Sequence, residues 1–303
     1  MIGSRGPPGP RRKMPWVPIV VFFFALSVFF RGQLSSGLAL MFGNASDGRF
    51  VIFIHEHVFR SFMGEGNFLS PPMYFNQPNT LGYSEALLLD QLFYVPLRLA
   101  GADMYLATSL CTVVLSTLGY VCLYFVLRRF LISVEIAAAA AAVATFSNNL
   151  FQSSVQLQHF AIHYIPAIVL CGIDAVQTLR TNPLRATACA CVGSLLYGLL
   201  FSTSFYVAWF FTLDIVLFAL MVALPARTII FEWIVLQPYR FLGHVLVVTI
   251  SVSAALIPFF LIYVPVLRLF GFRSFDEYLY WAPSIFNIIN VGRDNAVSGS
   301  LVR

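Results

Sequence analysis

Residues 104–127 read MYLATSLCTVVLSTLGYVCLYFVL, a stretch without a charge, preceded by Asp103 and followed by Arg128 and Arg129. A run of this length matches the roughly 20 apolar residues that cross a bilayer as a helix. Similar runs predict further spans at about 16–30, 132–150, 158–179, 186–203, 204–224 and 241–267, seven in all. Residues 186–224 are too long for one span, and Ser202-Thr203-Ser204 is the natural turn inside them.

The whole chain agrees with that stretch. Of 303 residues, 59% are apolar and only 10% charged, and the mean hydropathy is +0.82. Ordinary soluble domains carry about 25% charged residues. Too few polar residues remain to cover a water-facing globule, and a disordered chain is excluded by the apolar content. The predicted fold class is all-α, a polytopic transmembrane helical bundle of about seven spans. All five cysteines lie in apolar runs without CxxC spacing, so they read as small buried hydrophobes.

Charge sets the topology. With the N-terminus inside, the inner segments 1–14, 128–131, 180–185 and 225–240 hold ten of the 18 basic residues in about 40 positions. The outer segments are longer and hold the other eight basic residues and nine of the 13 acids. The net charge of +5 therefore reflects membrane topology, with no call for nucleic acid as a partner. The basic tail and the run Trp16–Phe30 also fit a signal peptide, but no small-x-small cleavage site follows. An uncleaved first span, with Arg31 reaching outward, is preferred.

Residues 31–103 form a large external loop. Within it, Arg49–Met63 reads as an amphipathic helix: Arg49, Glu56 and Arg60 share one face, and Val51, Ile54, Val58 and Phe62 form an apolar stripe. A second helix is predicted from Glu85 to Leu99, with breakers at Ser70-Pro71-Pro72 and Gln77-Pro78-Asn79 between the two.

This loop is the main candidate for chemistry, since Asp47, Arg49, Glu56, His57 and Arg60 fall within 14 residues. Carboxylates at a membrane surface supply a general base or hold a divalent metal, and arginines clamp phosphate. The plainer reading is a solvated face with a Glu56–Arg60 pair at i,i+4. His159 and His163 sit four apart at the outer end of the fourth span, as a metal or phosphate contact would use them; packing at the interface is the plainer role. Asp214, in the middle of the sixth span, is either functional or hydrogen-bonded to a neighbouring helix. Ala137–Ala142 serves close helix packing. No Walker loop, GxGxxG or serine elbow occurs. Asn44-Ala-Ser46 matches a short glycosylation sequon.

The order of a basic tail, a span, a large loop opening with Asp47, two surface helices and then closely spaced spans resembles the GT-C superfamily of membrane glycosyltransferases. The local resemblance is to a group of poorly characterised bacterial polytopic members. It rests on Asp47-Gly-Arg49-Phe50, Glu56-His57, Pro78-Asn-Thr-Leu-Gly-Tyr-Ser-Glu85, Pro96-Leu-Arg98 with Gly101, and Gln158-His159, and covers about residues 15–180. It implies transfer of a sugar from a polyprenyl-phosphate donor to an external acceptor, with inversion, at the bacterial inner membrane. Asp47 would be the base or a Mg or Mn ligand, and Glu56 a second catalytic acid. Arg49, His57, Arg60, Arg98, His159 and His163 would bind substrate. A metal is compatible with the sequence and not required by it. Members of the group run well beyond 303 residues, so the resemblance implies that 268–303 is an external segment cut short. The rival readings are a transporter or flippase with Asp214 and the histidines on a solute path, and a non-catalytic binder of lipid-linked sugar.

Overall fold

The computed structural model describes residues 16–42, 47–74, 77–147, 156–236, 238–272 and 274–281. The basic tail 1–14, the sequon residues 44–46 and the final segment 282–303 lie outside the described residues. Every regular element among the described residues is helical. In chain order they are α1 (Val17–Phe29), α2 (Arg31–Ser35), α3 (Asp47–Phe62), a 3-10 turn (Thr80–Tyr83), α4 (Gln91–Leu99), α5 (Met104–Arg129) and α6 (Val134–Thr145). There follow a second 3-10 stretch (Leu157–His163), α7 (Tyr164–Thr178), α8 (Pro183–Leu200), α9 (Phe205–Leu236), α10 (Pro238–Phe270) and α11 (Phe275–Trp281).

α5 is the pillar of the bundle, and its sequence explains both of its ends. The Asp103 carboxylate accepts from the amides of Tyr105 and Leu106 at 2.8 and 2.9 Å, which caps the N-terminus. Arg128 and Arg129 occupy the last turn, where the helix dipole favours cations. α4, α6, α7 and the 157–163 stretch pack around α5, α7 packs on α8, and α8 packs on α10.

Among the described residues five segments are long and apolar enough to cross a membrane: Met104–Arg129, Leu157–Thr178, Pro183–Leu200, Phe205–Val222 and Phe241–Phe270. The other two predicted spans are shorter helices. α1 has 13 residues and α6 has 12, or about 20 and 18 Å of helix against a core of about 30 Å. They pack on each other, with Tyr120 of α5 donating to the Pro18 carbonyl at 2.8 Å. The alanine run packs as its small size predicts, with Ala137, Ala138, Ala141 and Ala142 buried.

The break between α8 and α9 falls at the predicted serine–threonine turn. Ser202, Thr203 and Ser204 are fully buried. Thr203 Oγ1 accepts from the Leu89 amide at 2.9 Å, and Ser204 Oγ donates to Glu85 Oε1 at 3.3 Å. This anchoring also explains why the second surface helix starts at Gln91 and not at Glu85. Leu87 lies in the left-handed region (φ 53°) and is buried, so the chain turns inward there before α4 begins.

Between Phe205 and Val222, α9 is held only at its start. Ala208 and Phe211 are buried and Thr212 Oγ1 lies 2.8 Å from the Tyr197 hydroxyl, but every residue from Leu213 to Val222 is exposed. Asp214 therefore faces outward from the bundle. The solute-path reading needs it to face inward, and its position removes that support.

Two glycines let α8 approach its neighbours. A Cβ on Gly193 would stand 3.0 Å from the Cys171 Cβ of α7, and one on Gly198 would stand 2.5 Å from the Ala255 methyl of α10. Gly198→Val should lower stability by about 1–3 kcal/mol through overpacking. Gly172→Ala, where the added methyl meets nothing within 4 Å, should be neutral or slightly stabilising. Thermal unfolding of the purified protein in detergent measures both.

Candidate functional site

α3 carries two faces. Val51, Ile54 and Val58 are buried in the core. On the other side Arg49, Ile52, Phe53, Glu56, His57 and Arg60 line a cavity of about 380 Å³, closed by Pro72, Met104 and Tyr105. These six positions follow the three- and four-residue steps that share one helix face. The predicted face of Arg49, Glu56 and Arg60 is thus present.

Glu56 is the most heavily bonded group of the site. Its Oε2 accepts from Arg98 Nε at 2.8 Å and from the Tyr94 hydroxyl at 2.9 Å. Its Oε1 accepts from Arg98 Nη2 and Arg60 Nε, both at 3.0 Å. A carboxylate has about four acceptor positions, and all are filled. Burial pushes the carboxyl up, but the hydrogen bonds from Arg98, Arg60 and Tyr94 outweigh it, so Glu56 titrates below its ordinary 4.5. The same pairing, against some desolvation, raises Arg98. Arg98 also lies over the Phe59 ring at 5.2 Å. These contacts make Glu56 a lock between α3 and α4, and a carboxylate so stabilised as an anion is a poor proton acceptor.

His57 is buried, and its Nε2 lies 3.0 Å from the Phe68 carbonyl. A carbonyl only accepts, so Nε2 carries the proton. Arg49 is exposed and makes no ion pair among the described residues. Arg60 is mostly exposed and pairs with Glu56, with Glu65 at 4.0 Å.

Asp47 is not brought to this cavity. It opens α3, nine residues before Glu56, which puts it about 13 Å away along the axis and about 180° around it. That is the side of Val51 and Ile54. Asp47 and Glu56, paired by sequence position, therefore lie on different faces of α3. His159 and His163 are also separated. They lie in a 3-10 stretch, where each residue advances about 120°, so an i,i+4 pair does not share a face. His163 is fully packed, its ring against Gly119 of α5 and its Nε2 3.5 Å from Ser116 Oγ. Among the described residues no three His, Cys, Asp or Glu side chains gather as a metal site.

The sequence reading missed a second cluster beneath the first. His55, the neighbour of Glu56, turns inward: its Nε2 lies 3.3 Å from Asp90 Oδ2 and its Nδ1 3.4 Å from Thr108 Oγ1. Tyr164 of α7 donates to Asp90 Oδ1 at 3.1 Å. The alternation His55-Glu56-His57 on an amphipathic helix was the available signal, since 100° steps send adjacent residues to different neighbours. Glu85, also missed as a structural acid, is buried against Ser204, and burial raises it above 4.5.

A second, apolar groove of about 730 Å³ is lined by Phe62, Phe68, Leu69, Leu92, Val95 and Pro258, among others. The segment Phe68–Pro72 walls both spaces, with Phe68 and Leu69 on the groove and Pro72 on the cavity.

Arg98→Ala should cost about 1.5–3 kcal/mol, since Glu56 loses two charge-assisted hydrogen bonds but keeps Arg60 and Tyr94. Arg60→Ala, at an exposed partner, should cost at most about 1 kcal/mol. The two carboxyls should show opposite pH signs. Glu56, lowered on folding, adds stability above its ordinary 4.5 and loses it as pH falls through the folded value. Glu85, raised on folding, opposes folding increasingly as pH rises above 4.5 towards its folded value. At neutral pH Glu56→Gln should therefore lower the unfolding temperature and Glu85→Gln should hold or raise it, read by thermal unfolding across a pH series.

Compared with known proteins, the chain matches no family model, no curated protein and no solved structure.

Proposed function

We propose that this chain is a membrane glycosyltransferase of the GT-C kind, moving a sugar from a polyprenyl-phosphate donor to an acceptor outside the bacterial inner membrane, with its N-terminus cytoplasmic. The observation that carries the reading is the arginine-lined cavity on α3. Arg49 and Arg60 supply two positive charges to its wall and Glu56 one negative, which leaves a net single positive charge among these three. A lipid-linked sugar phosphodiester carries a single negative charge, so cavity and donor phosphate match. Guanidinium groups are suited to phosphate because their N–H fork meets two oxygens at once. The adjoining apolar groove supports the reading, because a polyprenyl chain needs a dry surface next to its phosphate.

In this reading Arg49 is the principal phosphate contact, since Arg60 is shared with Glu56 and Arg98 is committed to it. Arg98, Asp47, His159 and His163 are not direct substrate contacts in this reading, and Arg98 and His163 are taken up by packing and pairing within the protein. The phosphate departs with the electron pair of the broken C1–O bond, and a fixed cation beside it stabilises that developing charge.

The test uses the purified full chain in lipid nanodiscs with a radiolabelled polyprenyl-phosphate sugar, following donor binding and release of polyprenyl phosphate. Wild type should bind the donor and release the phosphate. Arg49→Ala should weaken binding about 10- to 100-fold, as loss of a charge-assisted hydrogen bond does. Donor binding without release would point to a carrier of lipid-linked sugar instead. Absence of donor binding would overturn the proposal.

A further inference from the structure

A transfer of this kind needs a group that takes the proton of the attacking hydroxyl. Two of the carboxylates that sequence position suggests are unsuited to it. Asp47 lies on the opposite side of α3 from the cavity, about 13 Å along the axis from Glu56. Glu56 has every acceptor position filled by Arg98, Arg60 and Tyr94.

We infer that His57 is the proton acceptor of the cavity, acting through its Nδ1. The inference rests on the proposed transfer for its substrate and on geometry for its chemistry. The Phe68 carbonyl, 3.0 Å from Nε2, fixes the proton on that nitrogen and leaves the lone pair on Nδ1. Nδ1 has no protein partner among the described residues, and the ring lines the same cavity as Arg49 and Arg60. The ring is also held in orientation: it lies nearly parallel to Phe53, 21° between planes with centroids 6.4 Å apart. A base oriented by a carbonyl on its other nitrogen, in a cavity that also holds phosphate-binding cations, is the arrangement that displacement at a sugar carbon requires.

The step balances. The acceptor hydroxyl oxygen forms a bond to the anomeric carbon, and the bond from that carbon to the phosphate oxygen breaks. The electron pair leaves with polyprenyl phosphate, which is held by Arg49. The hydroxyl proton passes to His57 Nδ1, and the resulting imidazolium returns it to water before the next turnover.

Two measurements test this. The first compares wild type, His57→Gln and His57→Ala for turnover of the labelled donor over a pH series. The expected result is a fall in kcat of about 100-fold or more, within the usual contribution of a general base. KM for the donor should change little, the ionisation limb of the pH profile should disappear, and imidazole should partly rescue His57→Ala. Unchanged kcat with an unchanged pH profile would overturn the inference and leave the transferase reading standing. The second is 15N NMR of histidine-labelled protein, with His57→Gln to assign the signal. It should show the proton on Nε2; a proton resident on Nδ1 would overturn the inference whatever the activity. If wild type shows the Nε2–H form but transfers no sugar, the transferase reading falls, and with it the catalytic use of His57.

Discussion

The buried carboxylate of Glu56 is the constraint around which the α3–α4 end of the molecule is arranged. An ion taken out of water must be paired and hydrogen-bonded, or it unfolds its surroundings. Glu56 meets that demand from α4, through Arg98 and Tyr94, and from its own helix, through Arg60. The consequence is geometric. α3 cannot rotate or slide on α4 without stranding a charge, so the face carrying Arg49 and His57 is fixed relative to α4 and the start of α5. The adjacent residue acts on the opposite partner set. His55 ties α3 to Asp90 and Thr108, and Asp90 is tied in turn to Tyr164 of α7. Two consecutive side chains thus clamp one helix to three others, and the cavity inherits its shape from them.

Much of this frame was legible because it depends on period and composition. The run from Met104 to Leu127 announces α5, Asp103 and Arg128-Arg129 mark its ends, and the serine–threonine turn separates α8 from α9. The two faces of α3 were readable from the three- and four-residue spacing. The span count was less so. α1 and α6 have the apolar composition of spans but stop short as helices, and composition does not fix where a helix ends.

What escaped the sequence is contact between distant residues. Nothing local says that Arg98, 42 positions away, will complete Glu56, or that Glu85 will meet Ser204 after 119. Leu87 in the left-handed region is likewise set from outside: the amide of Leu89 is taken by Thr203, and the chain between bends to reach it. The 3-10 winding of Leu157–His163 is of the same type. A four-residue spacing of histidines puts them on one face only if the segment is α-helical, and His163 instead sits where Gly119 leaves room for its ring. Catalytic roles assigned by position in the chain were therefore the weakest readings. Asp47 occupies the expected place in the loop, yet the start of a helix and its third turn face different directions.

The same contrast divides the molecule into a tight end and a loose flank. Around α3, α4 and the turn at 202–204, Glu56, His55, Glu85 and Thr203 meet partners from other elements, and each match removes a way for the site to deform, while Ser61 Oγ, Gln91 Oε1 and Ser202 Oγ are buried without one. Along α9 the packing ends near Thr212, and from Leu213 to Val222 the helix stands clear of the bundle with Asp214 exposed among apolar neighbours. A carboxyl at that depth in a bilayer costs several kcal/mol unless it is met by water, protein or a headgroup. The chain meets Glu56 and Asp90 with several hydrogen bonds at one end and leaves Asp214 bare on its flank, so its internal order lies where the cavity is. The face of α3 that carries Arg49, His57 and Arg60 is held in place by these contacts, because a helix tied at His55 and Glu56 cannot turn without breaking them.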